Sequence, residues 1–381
     1  MPTTKAPQKQ QTKSKAKKVM TILISVILII AIVAAIFIEV VTRPQDENSD
    51  YVAVGGMLAS DTVDFQAESA KGLDKNPIIK IMQMVWYFCA GGDEKKHSVQ
   101  TPPDDVTKIK DVPYIDDSNL FHQLDVFYPD NVKSGDKLPV IIDIHGGGWM
   151  YATKDLNEYY CMELAHRGYT VFSISYRLVP DVTVNEQIQD CAQALKWIGE
   201  NIGNYPCDAS NIMLTGDSAG GQLSIYSAIL MQSEELRNTF ETVNPELDIT
   251  ALVLTSPVSY MKDGGFFSVY TKPLWGRDYK SKATYNYMDL DEIIEYANVL
   301  PPTYLITSSG DTLAHDQTVK AYELLKEKGV DCEVADYGKD LTGKSLAHVF
   351  SILNPFDEAG KTAIDGELEF FEKTITSSTK N

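Results

Sequence analysis

Two glycine-rich segments hold the residues whose types and spacing suit chemistry: His145-Gly146-Gly147-Gly148-Trp149 and Gly216-Asp217-Ser218-Ala219-Gly220-Gly221. The second places a serine in a G-x-S-x-G pattern, after the apolar run 211–215 and before the helix-compatible stretch 223–231. A strand that turns abruptly into a helix presents its serine at the edge of a sheet, and small neighbours let the backbone bend that tightly. The first segment follows the apolar run 140–144, and its unhindered amides can face a developing oxyanion. Either segment alone is a common glycine turn. Together, each after a strand, they point to acyl transfer.

A serine hydroxyl needs a base within hydrogen-bond reach, and the base needs an orienting carboxylate. For a serine on such an elbow, the acid and then the histidine follow it in the chain. Of the six histidines, that leaves His315 and His348. His348 lies in 346–350, beyond the last predicted strand, where a loop can carry it over Ser218. His315, at the start of a predicted helix, is expected to cap it or to sit on the surface. Asp311 lies in the segment 309–313 that follows the apolar run 304–307, at the strand edge where open α/β sheets place their sites. Asp316 is its rival and the expected helix cap; Asp336 and Asp340 are weaker candidates. The expected oxyanion donors are the amides of Gly146, Gly147 and Ala219. His145 is expected to shape its own loop, while Trp149 either lines the pocket or packs beneath it.

Positioning these residues requires a sheet. Extended segments at 107–115 and 121–128 flank the turn Asp116-Asp117-Ser118-Asn119 and read as a hairpin. Short Val/Ile/Leu-rich runs near 140–144, 170–176, 212–215, 251–256, 304–307 and 333–336 then alternate with amphipathic stretches near 155–167, 185–202, 218 onward, 316–328 and 363–373. That alternation implies a mostly parallel sheet with helices on both faces, made mixed by the hairpin. It breaks at 261–300, an aromatic-rich stretch too long for an ordinary connection. With the segment 51–92, amphipathic near 56–70 and 76–90, this stretch is expected to form a lid over the strand ends.

The first eighteen residues carry six lysines and no acid, and residues 19–38 carry no charge. Such a run reaches about 30 Å as a helix, the thickness of a bilayer's hydrocarbon core. It exceeds the roughly 7–15 apolar residues of a cleaved signal peptide. The expected plan is a basic cytoplasmic tail (1–18), a transmembrane signal anchor (19–41), a stalk and N-terminal cap segment (42–104), and a catalytic domain (105–381) with a cap insertion (261–300). By the positive-inside rule, the catalytic domain lies outside the cell membrane. The net charge is −19 despite the basic tail, a poor balance for binding nucleic acid. Five cysteines without C-x-x-C spacing argue against a structural zinc site, and Cys161 and Cys191 read as buried free thiols.

These residues resemble the hormone-sensitive-lipase-like branch of the α/β-hydrolases, which includes carboxylesterases and acetyl esterases. The likeness rests on HGGGW at 145–149, Ser-Tyr-Arg-Leu at 175–178, GDSAGG at 216–221, Asp311-Thr312-Leu313 and His348-Val349-Phe350. It implies an α/β-hydrolase fold: a mostly parallel eight-stranded sheet with helices on both faces and a cap over the C-terminal strand edge. It makes Ser218 the nucleophile, Asp311 the acid, His348 the base, and Gly146, Gly147 and Ala219 the oxyanion hole. Arg177 and Asp190 resemble the family's buried structural pair. Two departures stand out: the family's usual Asp-Pro-Leu is Asp-Thr-Leu here, and its His-Gly-Phe is His-Val-Phe. The resulting expectation is a membrane-anchored serine carboxylester hydrolase. Its expected substrate is a short-acyl ester of a small molecule or carbohydrate, and it uses no metal or organic cofactor. A serine peptidase on the same fold and a catalytically inactive partner-binding ectodomain are the alternatives.

Overall fold

The computed structural model describes residues 8–42, 53–57, 66–262, 265–297 and 299–378. The chain divides into two compact units, Met1–Arg43 and Pro44–Asn381. Among its described residues the first holds one helix, α1 (Gln8–Val41), whose stretch Val19–Val41 has a mean hydropathy of 3.3 and mostly exposed side chains. It is long and apolar enough to cross a membrane.

The second unit is built on eight strands: β1 (Val106–Pro113), β2 (Gln123–Pro129), β3 (Leu138–Ile144), β4 (Thr170–Ile174), β5 (Cys207–Asp217), β6 (Ala251–Thr255), β7 (Thr303–Ser308) and β8 (Cys332–Tyr337). Their order across the sheet is β1-β2-β4-β3-β5-β6-β7-β8. β1 and β2 form the expected hairpin and join β4 antiparallel; every other pairing is parallel. The central strands are apolar on both faces because helices cover both. Ile142 and Leu214 pack into one core, and Ile141 and Met213 into the other.

The remaining helices of this unit are α2 (Pro77–His97), α3 (Glu158–His166), α4 (Val184–Asn201), α5 (Ser218–Gln232), α6 (Glu234–Phe240), α7 (Gly265–Thr271), α8 (Leu290–Ile293), α9 (His315–Glu327), α10 (Phe350–Leu353) and α11 (Glu358–Ser378). The amphipathic stretch expected near 76–90 runs on to His97, and the one near 363–373 extends in both directions. The other, near 56–70, falls partly outside the described residues and otherwise contributes only a 3₁₀ turn, Glu68–Ala70. The stretch 261–300 forms short helices and 3₁₀ turns instead of a continuous element. Two of its rings, Tyr270 and Trp275, are buried, and Trp275 packs edge-on against Phe240, while Tyr279, Tyr285, Tyr287 and Tyr296 are half-buried.

Arg177 and Asp190 do pair. The guanidinium donates twice to the carboxylate, Nε to Oδ2 at 2.9 Å and Nη2 to Oδ1 at 2.6 Å, and the Arg177 amide adds a third bond. Burial pushes the Asp190 carboxyl up, but the hydrogen bond of His122 and those of Arg177 outweigh it and hold the group below the usual carboxylate range. This pair fixes the segment after β4 onto α4. Asp190→Ala leaves a largely buried guanidinium without its partner, so it should lower unfolding free energy by about 3 kcal/mol. Urea titration checks this; a loss below 1 kcal/mol would contradict the structural role.

Candidate active site

The Ser218 turn is built as its glycines require. Ser218 itself has φ of +52°, a left-handed conformation that costs a non-glycine residue about 1–2 kcal/mol. A Cβ on Gly220 would come within 2.0 Å of the Ile144 carbonyl oxygen, so only glycine lets α5 pass this close to the end of β3.

At that turn, Ser218 Oγ lies 2.9 Å from His348 Nε2, and His348 Nδ1 lies 2.8 Å from Asp311 Oδ2. β5 delivers the serine, the turn after β7 delivers the carboxylate, and the loop between β8 and α10 delivers the imidazole. Asp311 is buried. Its burial raises the carboxyl pKa, but the hydrogen bond and charge of His348, the Ala314 amide and the Ser256 hydroxyl hold it at about 2. Asp311 Oδ1 also accepts from the Leu313 and Ala314 amides, 2.9 and 3.0 Å away. The capping expected of Asp316 does not occur: α9 starts at His315 without a side-chain cap, and the Asp311 bonds close the turn that leads into it. Asp316 is exposed and, among the described residues, meets His315 alone. His315 bonds Asp316 and Asp336, away from the serine.

The first glycine segment differs from expectation at one position. The Gly146 amide donates to Asp217 Oδ1 at 2.9 Å, so it is committed within the protein and does not face a substrate oxygen. The physical reason lies in the carbonyls. A trans peptide opposes its C=O and N–H, so whatever holds one carbonyl aims the following amide. The Gly146 carbonyl accepts from His145 Nδ1 at 2.7 Å and the Tyr176 hydroxyl at 3.1 Å, which turns the Gly147 N–H outward. The Gly147 carbonyl accepts from the amides of Met150 and Tyr151, both at 3.0 Å, which turns out the Gly148 N–H. Among the described residues, neither the Gly147 nor the Gly148 amide has an acceptor. The Ala219 amide lies in the first turn of α5, where no helical acceptor exists.

Asp217, Asn157 and Asp143 also organise this site, although no motif in the sequence assigns them that role. Asn157 Nδ2 bridges Asp217 Oδ1 at 2.9 Å and both Asp143 oxygens at 3.1 Å, all buried. Burial first, and then the charge of Asp217, push Asp143 up to about 7. A carboxylate between apolar residues of a central strand was the available signal. His145 shapes its loop as expected: it stacks on Tyr176 at 4.4 Å, and burial lowers its pKa to about 4, so the ring is neutral. Trp149 packs beneath the site, donating to Gln222 Oε1 at 3.0 Å.

Comparisons with known proteins bear on the fold and the activity class. The family model described as BD-FAE matches residues 124–308. Carboxylesterase NlhH of Mycobacterium tuberculosis is 26% identical over 290 residues, covering 69% of this chain and 86% of its own. The crystal structure of esterase B from Lactobacillus rhamnosis superposes with a TM-score of 0.74 at 25% identity, covering 81% of this chain and 98% of that one. A second structure of that esterase, described as a C4-C4 tributyrin phosphonate complex, gives a TM-score of 0.75 at 26% identity, covering the same shares. The chain has the α/β-hydrolase fold and is similar to carboxylesterases of the hormone-sensitive-lipase-like kind. It is a carboxylic ester hydrolase.

The depressed Asp311 carboxyl has a consequence for acid stability. Its folded value of about 2 lies below the ordinary 3.8, so its contribution is complete above pH 4 and lost as pH falls toward 2. Asp311→Asn should therefore lose less stability than the wild type between pH 4 and 2. Parallel pH-unfolding curves in that interval would refute the linkage.

Proposed function

We propose that this hydrolase is membrane-anchored, faces outward and cleaves short-acyl esters with Ser218 as nucleophile. The observation that carries the reading is the chain of contacts from Ser218 Oγ through His348 to the Asp311 carboxylate, at 2.9 and 2.8 Å. His348 Nε2 takes the hydroxyl proton as Oγ adds to the ester carbonyl, and Asp311 holds the imidazole and offsets its positive charge. The oxyanion is received by the amides of Gly147, Gly148 and Ala219, each worth about 3–4 kcal/mol of transition-state stabilisation. His348 then returns the proton to the departing alcohol, leaving an acyl-serine. Water, deprotonated by the same imidazole, hydrolyses that intermediate and restores the hydroxyl.

The short-acyl preference is supported by the butyryl-type phosphonate bound to esterase B, a neighbour at 26% identity. The anchor is supported by the apolar helix Val19–Val41 behind a lysine-rich tail. On this plan the anchor, the stalk and the N-terminal cap segment precede a catalytic domain at 105–381 with its cap insertion at 261–300.

Ser218→Ala should lower kcat on p-nitrophenyl butyrate by at least about 10⁴-fold. A panel from acetate to palmitate should peak at four carbons or fewer; activity confined to long chains would refute the acyl preference. For topology, protease added to intact cells should release the catalytic domain. Protection of that domain would refute the outward orientation.

A further inference from the structure

The outward-facing amides of Gly147 and Gly148 are set by carbonyls tied down within the hydrolase core. The next carbonyl, that of Gly148, is tied down by the cap. The Tyr270 hydroxyl, on α7 of the cap insertion, donates to it. Trp86, on α2 of the N-terminal cap segment, donates its Nε1–H to the Tyr270 oxygen at 3.1 Å. The Trp86 ring also lies flat on Tyr151, with centroids 5.1 Å apart, and against Gly148, where an added Cβ would meet ring carbon at 2.2 Å. Two cap segments separated by more than 180 residues thus converge on one glycine.

We propose that Trp86 and Tyr270 are positioning residues for the oxyanion hole, so that hydrolysis runs at full rate only while the cap grips the Gly148 carbonyl. The inference rests on the triad and oxyanion assignment of the preceding section. Its physical basis is the strain in the loop. Gly148 has φ of +55° and Trp149, which carries a Cβ, has φ of +63°. Turning over the peptide plane between them changes only the torsions on either side of it. That rotation relieves the left-handed conformation at Trp149, which costs about 1–2 kcal/mol. The groups beyond are fixed: the Gly147 carbonyl by Met150 and Tyr151, and the Trp149 carbonyl by Gln187 Nε2 at 2.8 Å and the Val179 amide at 3.0 Å. The hydroxyl of Tyr270 is the bond that opposes the turnover. Without it, a carbonyl oxygen replaces an N–H beside the Gly148 amide, where negative charge develops on the substrate.

Because both residues belong to the cap, the arrangement couples cap position to catalytic competence. A displaced cap admits substrate but leaves the loop unheld, and the closed cap completes the hole around a bound ester. Neither residue touches the reacting atoms in this account; both act through Gly148.

The test uses the full chain in detergent, with Tyr270→Phe and Trp86→Phe made singly and together. Each is assayed for kcat and KM on p-nitrophenyl butyrate, for affinity toward a short alkyl trifluoromethyl ketone, and for thermal midpoint. Tyr270→Phe should lower kcat about tenfold, part of the 10²–10³-fold lost with a whole oxyanion donor. Its KM should stay within twofold, and the ketone, which adds serine to form a tetrahedral oxyanion, should bind weaker by the same factor as kcat. Trp86→Phe keeps a ring against Gly148 and loses only the donor, so its effect should be smaller and of the same kind. The double variant should be no worse than Tyr270→Phe alone, since the bonds are in series. Unchanged kcat in Tyr270→Phe, a loss confined to KM, or ketone affinity that does not follow kcat would overturn the inference. If Tyr270→Phe does not fold, unchanged kcat in Trp86→Phe overturns it and a parallel fall in kcat and ketone affinity supports it. Ser218→Ala separates the two levels. Activity surviving in it overturns the site assignment, whereas an inactive Ser218→Ala beside an unaffected Tyr270→Phe overturns only the cap coupling.

Discussion

The hydrogen bond from the Gly146 amide to the Asp217 carboxylate joins the two glycine segments, and the geometry of the site depends on it. β3 and β5 are parallel neighbours in the sheet, with Ile144 opposite Gly216, so the loops that leave them emerge side by side. Parallel pairing alone brings those loops together without fixing how their peptides face. The carboxylate fixes the first plane of the 145–149 loop, and the carbonyl partners of Gly146 and Gly147 fix the next two. The reverse contact is steric: a side chain at Gly146 would strike Asp217 Oδ2 at 2.3 Å, and one at Gly220 would strike Ile144. Glycine is needed on both sides because a Cβ would strike the Asp217 side chain and carbonyl at one position and the Ile144 carbonyl at the other.

Holding Asp217 there requires burying it, and a buried carboxylate is stable only with partners. Asn157 and the Gly146 amide supply them. The second carboxylate, Asp143, shares Asn157 and receives bonds from Ser173 Oγ at 3.1 Å and the Cys161 thiol. Its pKa is raised by burial first and by the charge of Asp217 second. Cys161 and Cys191 are buried free thiols, their pKa pushed well up by burial, and neither is suited to reaction at neutral pH.

The two departures from the family motifs have different meanings. Thr312, where proline is usual, leaves every bond of Asp311 in place. Val349, where glycine is usual, sits at φ of +47°, which a β-branched residue adopts at a cost of about 1–2 kcal/mol. Its side chain is buried beside Leu346 and Ile352 in the core beneath α11. Full burial of a valine returns about 1.5–3 kcal/mol, enough to offset that strain. The position thus keeps the backbone turn that carries His348 while gaining a core contact.

The alternation of short apolar runs with amphipathic helices made the sheet legible, since the period of apolar residues is local information. The pattern around Ser218 was legible for the same reason: a tight strand-to-helix turn writes small residues into adjacent positions. Chain order and strand ends singled out Asp311 and His348, 37 residues apart, as the pair that meets Ser218. The facing of individual peptide planes was not legible. Gly146 and Gly148 are chemically identical in the sequence, and only their carbonyl and amide partners, drawn from Asp217, Tyr176 and Tyr270, distinguish them. The facing of the individual rings in 261–300 was not legible either: Tyr270 and Trp275 are buried while Tyr279 and Tyr285 are half-buried, because the side an aromatic presents depends on what packs against it. Sequence alone determined which elements form and which residue types can react. Tertiary structure decided which amides of the glycine loop are tied up and which are left open, because a peptide's orientation is set by hydrogen-bond partners that lie far away along the chain.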